Sequence, residues 1–112
     1  MAVPRPDPAL VRVIAMAADQ VRRCYRAPRA QRGARGIVTV LRVAYAPDGN
    51  LAELPSLVTQ RGVTEENARA ASEMAEAAAR AVVTCVPLKL PAERYRNGWD
   101  SFVLTFSQKA VA

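Results

Sequence analysis

Histidine is absent from this 112-residue sequence, which also holds only two cysteines, two lysines and six aromatic residues. Each scarcity excludes something. Without histidine the chain lacks the commonest general base and the commonest zinc ligand. Two cysteines alone build neither a four-cysteine nor a mixed cysteine–histidine zinc site. No apolar run approaches the roughly 20 residues that a membrane-spanning helix needs. The opening MAVPRPDPAL lacks the basic-then-apolar order of a signal peptide. The length suits one domain with a real core and is too short for two. The acids are scattered and no nucleophile–base pair is visible, so we expect no enzyme, no metal site and no cofactor.

What the chain does have is arginine, 14 residues of it, and a formal charge of +6. Residues 1–36 hold eight arginines against Asp7 and Asp19, while the remainder carries eight basic and eight acidic residues and is neutral. The densest part of this basic patch is Arg22, Arg23, Arg26, Arg29, Arg32 and Arg35. Such a cluster is the electrostatic footprint of a nucleic-acid, membrane or acidic-protein partner. It is equally the solvated loop of an arginine-preferring protein. Only Tyr25 is interleaved, which is poor equipment for stacking bases.

Along the chain, residues 1–8 carry three prolines and read as a linker, with the domain proper spanning 9–112. From Ala9 to Tyr25, Leu10, Ile14, Ala17, Val21 and Cys24 recur at helical spacing, with Pro8 suited to the first turn. An arginine-rich loop follows Pro28. Residues 37–45 are dense in β-branched residues and predict a strand. Pro47-Asp48-Gly49-Asn50 predicts a hairpin turn into a second strand over 51–60. That strand contains Pro55, so it belongs at a sheet edge or carries a bulge. Thr64 is the expected cap of a helix running to Val83, with Glu65–Arg69 and Glu76–Arg80 pairs outside. Its inner face would be Ala68, Ala71, Met74, Ala75, Ala78, Ala81 and Val82. CVPLKLP is extended, and AERYRNG allows one turn. A last strand covers about Trp99 to Ser107, with Phe102, Leu104 and Phe106 on one face.

The order α-β-β-α-β gives an α+β fold. Its three-stranded antiparallel or mixed sheet has the strand order 2-1-3 and two helices packed on it. Pro55 guards one edge. The other, Ser101, Phe102, Val103, Leu104, Thr105 and Phe106, has no proline and no charge, and is the expected partner-binding edge for an added strand. Cover by the first helix or by a second copy is the alternative. Spacing leaves Cys24 and Cys85 open between a disulfide and two buried thiols, and no CxxC motif is present. Tyr95 and Trp99 read as packing residues rather than ligand-binding groups.

The order of features is also familiar. A cysteine closes an opening helix, a β-rich run ends in Pro-Asp-Gly, and an alanine-rich helix ends in AVVTCVPLKLP before ERYRNGW and a closing FVLTF strand. Over about residues 10–107 this resembles the C-terminal domain of the TolA cell-envelope proteins, in the form seen in many α-proteobacteria. The related TonB C-terminal domain shares the hairpin–helix–strand plan, but its Tyr-Pro segment is not evident here. The resemblance implies a periplasmic interaction module of the Tol–Pal system, carried by an inner-membrane-anchored protein. It implies a Cys24–Cys85 disulfide. Its expected partners are an extended N-terminal segment of TolB and, through it, Pal, with colicins and filamentous-phage coat proteins exploiting the same domain. An anchor and a long Ala/Lys-rich stalk are not in these 112 residues, so the sequence reads as an excised domain or a short paralogue. The other reading is a nucleic-acid-binding module using the arginine cluster.

Overall fold

The computed structural model describes residues 7–29 and 33–112. The first helix, α1, spans Pro8–Arg22. Asp7 caps it by accepting the Ala9 N–H at 2.9 Å, and Pro8 occupies the first turn, where a missing N–H costs nothing. Both residues therefore belong to the helix rather than to a linker. The helix ends before the expected Tyr25. Beyond its end, the Arg26 guanidinium donates to the carbonyls of Arg23 at 2.9 Å and Tyr25 at 3.3 Å, satisfying groups that have no helical partner.

Strands β1 (Val38–Tyr45) and β2 (Leu51–Arg61) form the hairpin, and β3 (Ser101–Phe106) lies on the other side of β1. The order is β2-β1-β3 and both pairings are antiparallel. The two strands joined by the helical crossover thus run parallel to each other with β1 between them. Eleven residues of β2 face eight of β1, and the excess is taken up at three register shifts. Bulges of this kind twist and blunt an edge, and Pro55 lies among them.

The turn is set by Gly49, with φ of 87°. A Cβ there would stand 2.0 Å from the Leu88 carbonyl oxygen, while Leu88 N donates to Gly49 O at 2.9 Å. Only glycine permits that approach. It brings the extended segment after the second helix against the hairpin.

That second helix, α2, spans Ala68–Thr84 and starts after Asn67 rather than at Thr64. Thr64 and Asn67 instead bond each other: Asn67 Oδ1 accepts Thr64 N at 2.7 Å, and Thr64 Oγ1 accepts Asn67 N at 3.3 Å. The buried Asn67 amide also donates to Gly33 O at 3.1 Å and Gly62 O at 2.9 Å, tying three segments together. Glu65 consequently precedes the helix, and neither expected i,i+4 ion pair forms. The buried face is Ala70, Ala71, Met74, Ala78, Ala81 and Val82, with Ala70 in the place expected of Ala68. Its small side chains let the helix lie close on the sheet.

Both helices cover one face of the sheet. Val13, Ala17 and Val21 of α1 and Ala78, Ala81 and Val82 of α2 meet Leu41, Val43, Tyr45, Phe102, Leu104 and Phe106. Trp99 joins this core instead of starting the last strand, donating from Nε1 to Pro91 O at 2.6 Å. Tyr95 packs edge-on against it and donates its hydroxyl to Tyr45 O at 2.8 Å. Among the described residues no element covers the opposite face, where Arg42, Ser56, Thr59 and Val103 are exposed. Among the described residues, no helix is long and apolar enough to cross a membrane.

Candidate interaction edge

The predicted docking residues all lie on β3, and the ladder divides them. Tyr45 N donates to Asp100 O at 3.0 Å, which sets the phase of the pairing with β1. Antiparallel alternation then directs the main-chain groups of Phe102, Leu104 and Phe106 toward β1 and those of Val103 and Thr105 away from it. Side chains alternate too. Phe102, Leu104 and Phe106 are buried beneath the helices, while Val103 is 47% exposed on the open face. Any strand added at this edge therefore meets main chain, with Ser101, Val103 and Thr105 as the accessible side chains.

Half of that edge is already paired. Past β3 the chain turns and runs back alongside it. Thr105 N donates to Ala112 O at 2.7 Å and Ala112 N to Thr105 O at 2.9 Å, with Val111 opposite Phe106. Ser107 N donates to Ala110 O at 2.9 Å, and Ser107 Oγ accepts Ala110 N at 3.2 Å. Two anchors from the exit of α1 hold the turn: Tyr25 donates its hydroxyl to Ser107 O at 2.9 Å, and Gln108 Nε2 donates to Pro28 O at 2.8 Å. Tyr25 also packs edge-on against Phe106, with ring centroids 5.2 Å apart. Residues 110–112 of the chain itself, and not α1, take the Thr105 end of this edge. Ser-Gln-Lys-Ala-Val-Ala has no strand pattern in sequence, and its one signal is the isolated aliphatic Val111.

Cys24 and Cys85, 61 residues apart, form a disulfide with a Cα–Cα distance of 5.8 Å. It joins the exit of α1 to the exit of α2, one residue from Tyr25. The adjoining cleft is lined by Met16, Gln20, Arg23, Lys89 and the two cysteines.

Arg22, Arg23 and Arg26 stand together at the exit of α1. Arg22 and Arg23 both bond Asp19, at 2.9 and 3.4 Å. The Arg22 hydrogen bond, with both positive charges beside it, holds the Asp19 carboxyl below its ordinary value. Arg26 serves the end of α1. Arg23, Arg26 and Arg35 line three separate clefts, Arg29 is exposed, and Arg32 lies outside the described residues. Among the described residues, no three acids or cysteines stand close enough to hold a metal ion. No known family model, curated protein or solved structure matches the chain.

Proposed function

We propose that this domain is a non-catalytic adaptor of the TolA type. It works in the periplasm at the tip of an inner-membrane-anchored protein. There it binds an extended N-terminal segment of a TolB-type partner by strand addition at β3, and so couples inner-membrane energy to Pal, outer-membrane integrity and cell division. Colicins and filamentous-phage coat proteins would use the same edge.

The observation that carries this reading is the edge itself. Ser101–Phe106 is a regular, charge-free edge strand, and its outward main-chain groups already accept an antiparallel segment at Thr105. The Cys24–Cys85 bond supports an oxidising compartment. Only Tyr25 is interleaved among the arginines, which weighs against a surface that stacks bases.

The test is calorimetric titration of the protein with a synthetic peptide of the N-terminal segment of a TolB protein. Val103→Pro removes one outward N–H and no bond to β1. We expect it to weaken the peptide at least about tenfold, the loss of one well-placed hydrogen bond plus steric exclusion, while circular dichroism and thermal melting stay native. Unchanged affinity removes β3 as the docking edge. Binding of DNA or RNA that weakens steeply with salt would favour the arginine cluster instead.

A further inference from the structure

We infer that Ala110–Ala112 occupies the partner's own place on β3. An extended partner must displace it, and must bring an aliphatic side chain into register with Phe106. This rests on the strand-addition reading above and adds to it the register, the chemistry of the docking segment and a competing occupant.

The geometry of the tail is that of an added strand in miniature. It runs antiparallel to β3 and exchanges both main-chain bonds with Thr105. Residue 111 falls opposite Phe106, whose side chain faces the helices, so Val111 packs against the rim of the main core. Ala110 and Ala112 flank it with minimal side chains. The seat at residue 111 is therefore apolar, and its neighbours meet Thr105 and Ser107. A longer strand using the whole edge would pair at Val103 as well as at Thr105. It cannot take Thr105 while Ala112 holds both of its main-chain groups.

The competition is uneven in the partner's favour. The tail pairs at two positions, Thr105 and Ser107, through small residues. A partner continuing past Thr105 gains the outward groups of Val103 as well. Its apparent affinity is reduced by the fraction of molecules whose edge is taken, which is the form of a conformational tax. The turn that delivers the tail is fixed by Tyr25, beside the disulfide, so displacement lets go of residues 110–112 while Ser107 and Gln108 keep their anchors.

The test uses the whole protein, isotope-labelled, and the TolB N-terminal peptide named above. On titration, the amide of Thr105 should stay protected from hydrogen exchange, Val103 should gain protection, and Ala110, Val111 and Ala112 should take on the relaxation of a released, unpaired segment. A variant ending after Gln108 should bind the peptide about tenfold more tightly, as expected when an occupant of about 90% is removed. Val111→Asp should do the same, because a carboxylate is excluded from the apolar seat. Replacing the peptide's aliphatic residues by aspartate should abolish binding. Two results overturn the inference while leaving strand addition intact: the peptide binds with residues 110–112 unmoved, or truncation leaves affinity unchanged. If neither the intact nor the shortened protein binds the peptide, both readings fall. Binding to the shortened protein alone supports both.

Discussion

The side chain of Gln20 pairs with the backbone of Lys89 as one strand pairs with another. Its Nε2 donates to Lys89 O at 2.9 Å and its Oε1 accepts Lys89 N at 2.8 Å. One amide thus replaces a missing neighbour strand for the extended segment that follows α2. The same segment is held by the Leu88–Gly49 bond, the Trp99 bond to Pro91 O, the burial of Leu88 in the core and the Cys85 bridge at its start.

Replacing Gln20 with alanine removes both bonds at an exposed site. We expect a loss of about 1–2 kcal/mol, two modest hydrogen bonds, read as a lower denaturation midpoint with unchanged slope. Gln20→Glu should cost at least as much at neutral pH, because it loses the donor and turns a carboxylate oxygen toward Lys89 O. A null effect of both would mean that water replaces the amide at no cost.

Asn67 is a stronger case because it is buried. Asn67→Asp removes both donors and turns a carboxylate toward the carbonyls of Gly33 and Gly62. The expected destabilisation at neutral pH is about 3 kcal/mol, the range for breaking a buried polar network. It should shrink at low pH, where the acid is neutral and can donate once. Urea titrations at pH 4 and pH 7 separate the two contributions.

Tyr45 makes the opposite prediction. Its side chain is wholly buried, its hydroxyl has no partner among the described residues, and burial pushes its phenol up to about 12. In the unfolded chain a tyrosine ionises near pH 10. The folded protein therefore holds the proton longer. Its stability is unaffected below about pH 10 and falls as pH rises toward 12, because there the unfolded chain binds fewer protons. Tyr45→Phe should flatten that alkaline decline. At pH 7 it should raise stability by about 1 kcal/mol, by removing an unsatisfied group. Burial raises Tyr25 as well, so a shallower decline should persist in the variant.

The disulfide closes a long loop. Its removal by a double Cys24→Ala, Cys85→Ala substitution should cost about 4 kcal/mol on the chain-entropy account. The variant should also exchange the amides at the Ser107 turn faster, since Tyr25 adjoins the bridge. Differential scanning calorimetry with and without reductant gives the same comparison on the unaltered protein. A melting temperature insensitive to reductant would argue that the bond constrains little.

Much of this fold was legible because it follows from local chemistry. Pro47 and Gly49 specify a turn, and the alternation of Phe102, Leu104 and Phe106 specifies a face. The hairpin followed by a helical crossover leaves β1 in the middle. Pro55 marked its strand as the blunted edge. The start of α2 was not legible, because the choice between Thr64 and Asn67 is made by carbonyls of Gly33 and Gly62, which only the folded chain brings near. The alanine face was misplaced in part, since alanines on every side leave no contrast in size. The pairing of Gln20 with Lys89 spans 69 residues and has no periodic trace. The cysteine pairing came from resemblance, with spacing undecided. At the candidate site, β3 and its alternation were readable. The returning tail was not, because its strand character is lent to it by Thr105 and Ser107.

The contrast between the sheet's two margins has a further consequence. One margin, β2, is bulged three times and contains a proline; the other, β3, is regular. In the terms of polymer chemistry the domain is monofunctional. A strand that joins it ends the assembly there, since the far margin offers no second regular row of bonds for another chain to extend. Complexes formed at β3 should therefore stop at one partner per domain, and the open edge that makes recognition available does not make a fibre.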